Sequence, residues 1–365
     1  MISQADAAPA RIYVDHTHLR GHVTGIERVA LDLFDPAMLR PHPVVPVRST
    51  SLARMILAQQ IGLPLRGLRD PKALMIFPGF PPGPLATLLR RRCITYVHDT
   101  FLLTRPQDLS WKSRLYMAPS FAFAMRYGRR FLVNSRTTGA AVRAVCAPDA
   151  LVALLRPPVR DVFGLADLSP APKPAPGAPL RLLAIGTIEP RKDYPAAIAI
   201  VAALNAAGVP AELHVVGRVG WGSHDFLAAP PAFLNWHGYL DDAALRHLAA
   251  RCHLLISTSK AEGLGLPLLE VQHGGLPIVA PQGAVFSEVL GASALFIDPT
   301  DPAGAAKAIR DWVEGPSFAS APAASRANVR RWNDLAAGDA ERFRRFLERG
   351  AEAYAGAAES TAAPS

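Results

Sequence analysis

The sequence predicts an α/β protein made of two Rossmann-like, doubly wound domains facing each other across a cleft. Three observations carry that expectation. At 365 residues the chain is too long for one ordinary core and suits two domains of common size. Short apolar, largely β-branched runs alternate with longer helical patterns over residues 11–155, and the rhythm returns over residues 180–280. Strands that are apolar almost throughout, rather than at every second position, belong in parallel sheets covered on both faces.

In the first half, RIYV (11–14), PVVPV (43–47), ALMIF (73–77), CITYV (93–97), RFLVN (130–134) and LVALL (151–155) read as strands, and residues 1–165 form the first domain. Residues 166–179, ADLSPAPKPAPGAP, hold almost no large apolar side chain. Proline fixes φ and disfavours helix in the residue before it, so this segment is expected to be a stiff, extended linker. The second domain, residues 180–334, continues with LRLLAIG (180–186), ELHVVG (212–217), HLLIST (253–258) and PIVA (277–280). A charged helix over 335–355 is placed so that it could return to the first domain, and the small and polar residues from Gly356 onward are expected to fray.

Composition narrows the function classes. Half of the residues are hydrophobic, yet no run approaches the ~20 uninterrupted apolar residues of a membrane-spanning helix. The N-terminus lacks the positively charged flank of a secretory signal, so a cytoplasmic location is the default expectation. Cys93, Cys146 and Cys252 are odd in number, far apart and beside apolar residues, which suits reduced core thiols rather than bridges or metal ligands. The net charge of +9 is uneven: residues 1–165 carry 22 Lys and Arg against 10 Asp and Glu, whereas residues 166–365 carry 17 against 20. A basic half suits nucleic acid, an anionic membrane surface or a phosphorylated acceptor. Nucleic acid is disfavoured, because the interleaved aromatics of such a binder are missing. Arg90, Arg91 and Arg92, like Arg126, Arg129 and Arg130, read equally well as solvated helix ends.

The most informative stretch is Glu262-Gly-Leu-Gly-Leu-Pro-Leu-Leu-Glu270. Pro267 in a first helical turn, with Gly265 two residues earlier, marks a strand-to-helix turn. The amides of Leu264, Gly265 and Leu266 would then point into the cleft at the carboxyl edge of the sheet, where open α/β sheets place ligands. Glu262 and Glu270 flank the turn and can accept hydrogen bonds from hydroxyls at both ends of one ligand. A purely structural role would leave Glu262 capping the turn and Glu270 solvated. A second cluster, Gly186-Thr-Ile-Glu-Pro-Arg-Lys192, ends the first strand of the second domain and brings Arg191 and Lys192 to the same edge. Adjacent cations at a helix start oppose the helix dipole, which favours a bound anion such as a diphosphate.

Together these segments resemble family 4 of the retaining glycosyltransferases, which have the GT-B fold, over most of the second domain and thinner parts of the first. The resemblance implies that Arg191 and Lys192 bind the diphosphate of a nucleotide-sugar donor, that Glu270 binds the ribose, and that Glu262 contacts the transferred sugar. Backbone around Gly186, Gly263, Leu264, Gly265 and Leu266 would hold phosphate and sugar hydroxyls. Leu264 departs from the family's frequent Phe, and Ser257-Thr258-Ser259-Lys260 from its frequent Pro-Ser. In the first half, Gly21-His-Val-Thr-Gly-Ile-Glu-Arg28 resembles the family's glycine-containing loop, with Gly25 allowing close backbone approach. Val97-His98-Asp99-Thr100 resembles the segment whose His, here His98, points at the donor sugar. Asn134-Ser135-Arg136 caps a helix and faces the cleft.

Arg191, Lys192 and the helix-end amides would stabilise the leaving diphosphate in place of a metal ion, so no metal and no cofactor beyond the donor is expected. The resemblance to bacterial mannosyltransferases of surface polysaccharide synthesis points to GDP-mannose, with UDP-sugars as the alternative. It also points to a saccharide or lipid-linked saccharide acceptor, and the basic half is compatible with peripheral attachment to an anionic inner leaflet. Arg218 and Trp221 are candidates for base recognition. A dinucleotide-dependent oxidoreductase is disfavoured, since no Gly-x-Gly-x-x-Gly follows the first strand of either domain. A non-catalytic nucleotide-sugar-binding homologue stays open.

Overall fold

The computed structural model of the protein describes residues 8–19, 25–109, 113–168 and 170–349. Its contacts divide the chain into two units, Met1–Pro158 with Asp334–Ser365, and Val159–Asn333. The first contains six strands: β1 (Arg11–Asp15), β2 (Val44–Val47), β3 (Ala73–Phe77), β4 (Cys93–Val97), β5 (Arg130–Val133) and β6 (Leu151–Leu154). They form one parallel sheet in the order β2-β1-β3-β4-β5-β6. The second unit contains β7 (Leu180–Ile185), β8 (Ala211–Val216), β9 (Leu234–Trp236), β10 (Leu254–Ile256), β11 (Ile278–Pro281) and β12 (Ala294–Ile297). These too are all parallel, in the order β12-β11-β10-β7-β8-β9.

Side-chain alternation explains the apolar runs. In β7, Leu182 joins the core on one face with Ile200, Leu204 and Leu254, while Leu183 joins the other face with Leu255, Leu269 and Trp332. Both neighbours must be apolar because helices cover both faces. The first sheet is arranged likewise, with Met75 and Phe77 in one cluster and Val97 and Phe131 in another. Strands β9 and β12 were not expected from the sequence. Both are short edge strands, β9 carries a central Asn235, and edges need less continuous apolarity than the sheet centre. Pro46 sits in β2, another edge, where a missing N–H costs no central ladder bond.

The passage between units falls at Pro158 and Val159, so residues 166–179 lie within the second unit and do not join two units as the composition suggested. Anchoring residues just before the proline-rich run explain the difference. Leu165 is buried in the second unit's core, Leu168 packs against it, and Arg326 Nη2 donates to the Leu168 carbonyl at 2.6 Å. The terminal charged helix begins earlier than expected, spanning Ser317–Arg349 with Pro322 near its start. Its residues up to Asn333 belong to the second unit, and from Asp334 it packs in the first, where Phe34 meets Phe343 edge to face. Residues 350–355 of the expected helix, and the tail, lie outside the described residues. No described helix is long and apolar enough to cross a membrane. Cys93 and Cys252 are buried free thiols, and burial pushes both up to about 12.

Candidate active site

Strand order places the site. From β7 the chain moves outward to β8 and β9, then returns to β10 on the opposite side of β7. The loops leaving β7 and β10 therefore diverge from adjacent strands at a topological switch point, where doubly wound sheets open a crevice at their carboxyl edge. Residues 186–193 and 257–265, about 70 positions apart in sequence, become neighbours in this way.

After β7, Gly186 adopts φ 149°, and a side chain there would sit 3.1 Å from Lys192 Cε and 3.5 Å from the Tyr194 hydroxyl. The missing Cβ thus leaves room for Lys192 to fold back across the strand end. A single 3₁₀ turn, Pro190–Lys192, leads through Asp193, in the left-handed region at φ 51°, into the helix Tyr194–Ala206. After β10, Gly265 at φ 79° forms the left-handed N-cap of the short helix Leu266–Glu270, with Pro267 in its first turn as the sequence implied.

The two loops are bonded along their backbones. Lys260 N–H donates to the Arg191 carbonyl at 2.8 Å, and the Thr258 hydroxyl donates to the Asp193 carbonyl at 2.8 Å. Arg191 Nη1 donates to the Ala261 carbonyl at 2.7 Å, and Tyr194 Oη to the Gly186 carbonyl at 2.7 Å. Across this frame Arg191 Nη1 meets Glu262 Oε2 at 2.8 Å, and Lys192 Nζ meets Glu262 Oε1 at 2.6 Å. Arg191 Nη2 also pairs with Glu189. Only 8% of the Glu262 side chain is exposed. Burial pushes its pKa up, but the charges of Lys192 and Arg191 and hydrogen bonds from Lys192 and Ser259 outweigh that and hold it at about 2. Burial pulls the Arg191 guanidinium down, and Glu262 and Glu189 more than restore it, leaving it above its ordinary value.

The structure thus brings Arg191, Lys192 and Glu262 together. It also supplies partners the sequence did not assign: Glu189, Ser259, Thr258 and Tyr194. Adjacent cations at a helix start oppose its dipole, and here two carboxylates answer the two cations. Glu189 stood inside the quoted motif, but nothing in its spacing indicated that it turns back on Arg191. A pocket at this edge is lined by Lys192, Tyr194, Ser257, Ser259, Glu262 and Gly265. Glu270 is not solvated: it ends its helix and is buried. Gly263 and Leu266 lie on the same turn, and Leu264 is buried in the core.

The remaining assignments belong to the first unit or to the periphery of the second. His98 Nε2 lies 2.7 Å from the Pro78 carbonyl oxygen, which can only accept, so this nitrogen carries the proton. Burial lowers the His98 pKa to about 4, against opposing contributions from the Pro78 bond and Glu27. Asn134 Nδ2 donates to the His98 carbonyl at 2.8 Å, and Ser135 Oγ caps the helix Arg136–Arg143 by accepting from Thr138 N–H at 3.0 Å. Gly25 opens the helix Gly25–Phe34, while residues 20–24 of its loop lie outside the described residues. Arg218 lies over the Tyr239 ring at 4.5 Å, and Trp221 is exposed. Arg130, for which a solvated position was one of two open alternatives, is buried with its guanidinium 5.0 Å from the centre of the Phe346 ring.

Comparison with known proteins shows what the chain is similar to. Residues 167–332 match the model of "Glycosyl transferases group 1". A curated relative, the serotype-specific mannosyltransferase WbdA of Escherichia coli, is 34% identical over 135 residues, covering 35% of this chain and 17% of WbdA. The match therefore spans a small part of that longer protein. Among solved structures, Anabaena HepE in complex with UDP and glucose superposes with a TM-score of 0.61 at 17% identity, covering 90% of this chain and 98% of that one. WaaG, a glycosyltransferase involved in lipopolysaccharide biosynthesis, gives 0.61 at 16% identity over 92% of this chain and 99% of its own. Two parallel six-stranded sheets and these superpositions agree on the GT-B fold, and residues 167–332, which hold the switch-point cluster, are similar to the group 1 glycosyl transferases.

Proposed function

We propose that the protein is a retaining glycosyltransferase. It moves mannose from GDP-mannose onto a saccharide or lipid-linked saccharide acceptor in the synthesis of a cell-surface polysaccharide, at the inner face of the membrane. The observation that carries this reading is the convergence of Arg191, Lys192 and Glu262 at the switch point of a group 1 domain.

In this reading the donor diphosphate takes over Lys192 and shares Arg191, so that Glu262 gives up a cation and turns to the hydroxyls of the transferred sugar. Glu270 holds the ribose. The acceptor hydroxyl attacks the anomeric carbon on the leaving-group side as the bond from that carbon to the diphosphate oxygen breaks. The departing diphosphate accepts the acceptor's proton, and Arg191 and Lys192 stabilise the charge that grows on it. Gly25 and His98 are assigned to the donor by the resemblance, which makes them candidates for variants after the cluster itself. Mannose is supported by the likeness to WbdA, and a UDP-sugar donor by the likeness to the HepE complex.

The test is transfer from GDP-mannose and, separately, from UDP-glucose to mannosylated acceptors, with the new linkage read by NMR. An α-linked mannosyl product from GDP-mannose is expected, since the donor is α-linked. A β-linked product would sink retention, and transfer from UDP-glucose only would move the donor to the alternative.

A further inference from the structure

Residues 52–69 form one continuous helix: α-helical over Leu52–Leu57, π-helical over Ala58–Gly62 and α-helical again over Leu63–Arg69. The wider π turn accommodates Pro64, which has no N–H for a regular helical bond and would crowd the carbonyl four residues back. Met55, Gln59, Leu63 and Gly67, at a spacing of four, are buried, with Leu63 in the core beside Tyr13, Met75 and Phe77 of the first sheet. Leu57, Ile61, Leu65 and Leu68 recur every three or four residues on the outer side, and all four are exposed, Leu57 by 57% and Leu68 by 63%. Leu85 and Leu88, on the adjoining turn Pro84–Thr87 and its cap, extend the apolar strip and are also more than half exposed. Single exposed leucines are ordinary, but a contiguous strip of six marks an interaction surface.

The charge around the strip is equally one-sided. Between residues 36 and 98 the sequence carries nine Lys and Arg and one acidic residue, Asp70. Arg54, Arg66 and Arg69 are exposed on the same helix, with Arg90 and Arg91 beside Leu88. Most of the protein's excess positive charge therefore lies in the segment that also presents the leucines. Two copies meeting on this face would set arginine against arginine, which opposes self-association. A helix face offering leucines flanked by arginines is matched by an apolar layer beneath anionic groups.

We propose that the outer face of the helix Leu52–Arg69, with Leu85 and Leu88, is the surface by which the first unit lies on an anionic lipid bilayer. The leucines enter the boundary between headgroups and acyl chains while the arginines stay at headgroup level. This deepens the membrane-face location proposed above and fixes which surface carries it.

The test uses the full chain and co-sedimentation with vesicles of phosphatidylcholine, with or without roughly one third phosphatidylglycerol. Binding is expected to the anionic vesicles, to be much weaker to the neutral ones, and to fall as salt rises. The variant Leu57→Gln/Leu65→Gln should lose on the order of tenfold or more in vesicle affinity while keeping the wild-type melting temperature. Arg54→Gln/Arg69→Gln should lose on the order of tenfold on anionic vesicles only. No binding of the wild type to anionic vesicles would overturn the proposal, as would unchanged binding of the leucine variant. A wild-type dimer that the leucine variant converts to monomer would assign the face to a second copy instead. None of these readouts uses a nucleotide sugar, so failure of the donor assignment is told apart from failure of the surface.

Discussion

Glu262 sits between a cation that can bind oxygens in pairs and one that acts as a movable point charge, and that position defines its behaviour. Its carboxyl is held at about 2 in the folded protein, against 4.5 for the ordinary group. The folded pKa is depressed, so the stability Glu262 contributes is fully present above about 4.5 and is lost as pH falls from there towards about 2. Glu262→Gln should therefore flatten the acid limb of the urea midpoint over that window and lower stability near neutrality; an unchanged acid limb would contradict the ion-pair assignment. The same cluster shows what the sequence could and could not give. Residue type and motif marked Arg191, Lys192 and Glu262 as belonging to one site, because two cations and a carboxylate at strand ends have few other uses. That Glu262 and Glu189 neutralise the cations depends on which strands are neighbours, a long-range fact with no local signature. Glu270 was likewise marked, but its burial follows from helix packing that periodicity over five residues cannot resolve.

At the scale of elements, the central strands were legible because both sheet faces are covered and the apolar runs are unbroken. The edge strand β9 was not, since a three-residue run around Asn235 carries no such signal, while β12, Ala294–Ile297, is apolar throughout but only four residues long, too short to tell a strand from a buried helix by periodicity. The terminal helix illustrates a different limit: its charge and periodicity were plain, whereas its anchor was not. Arg156 Nη1 reaches Asp339 Oδ2 at 2.9 Å, with 3% and 0% of the two side chains exposed. Arg156 N–H also donates to Asp339 Oδ2 at 3.0 Å, and Arg342 pairs with the same carboxylate. No sequence pattern links positions 183 residues apart. Asp339→Ala leaves the Arg156 guanidinium buried without this partner, so it should cost about 3–5 kcal/mol by urea denaturation. Glu341→Ala, whose carboxylate pairs only with the exposed helix neighbours Arg344 and Arg345 among the described ion pairs, should cost less than about 1 kcal/mol.

For the whole molecule, the two sheets show the fold and residues 167–332 match the group 1 model, while the proposed chemistry rests on donor binding. A ligand that binds only the folded protein raises its melting temperature, so a thermal-shift panel of GDP-mannose, GDP, UDP-glucose and UDP on the wild type and on Lys192→Gln reads the donor site directly. Lys192→Gln keeps a hydrogen-bond donor near Glu262 but removes the charge offered to the diphosphate. GDP-mannose and GDP should raise the wild-type melting temperature, and this shift should largely vanish in the variant. The absence of a shift with any nucleotide, or an equal shift in both proteins, would contradict the assignment of Arg191 and Lys192 as the donor-diphosphate site.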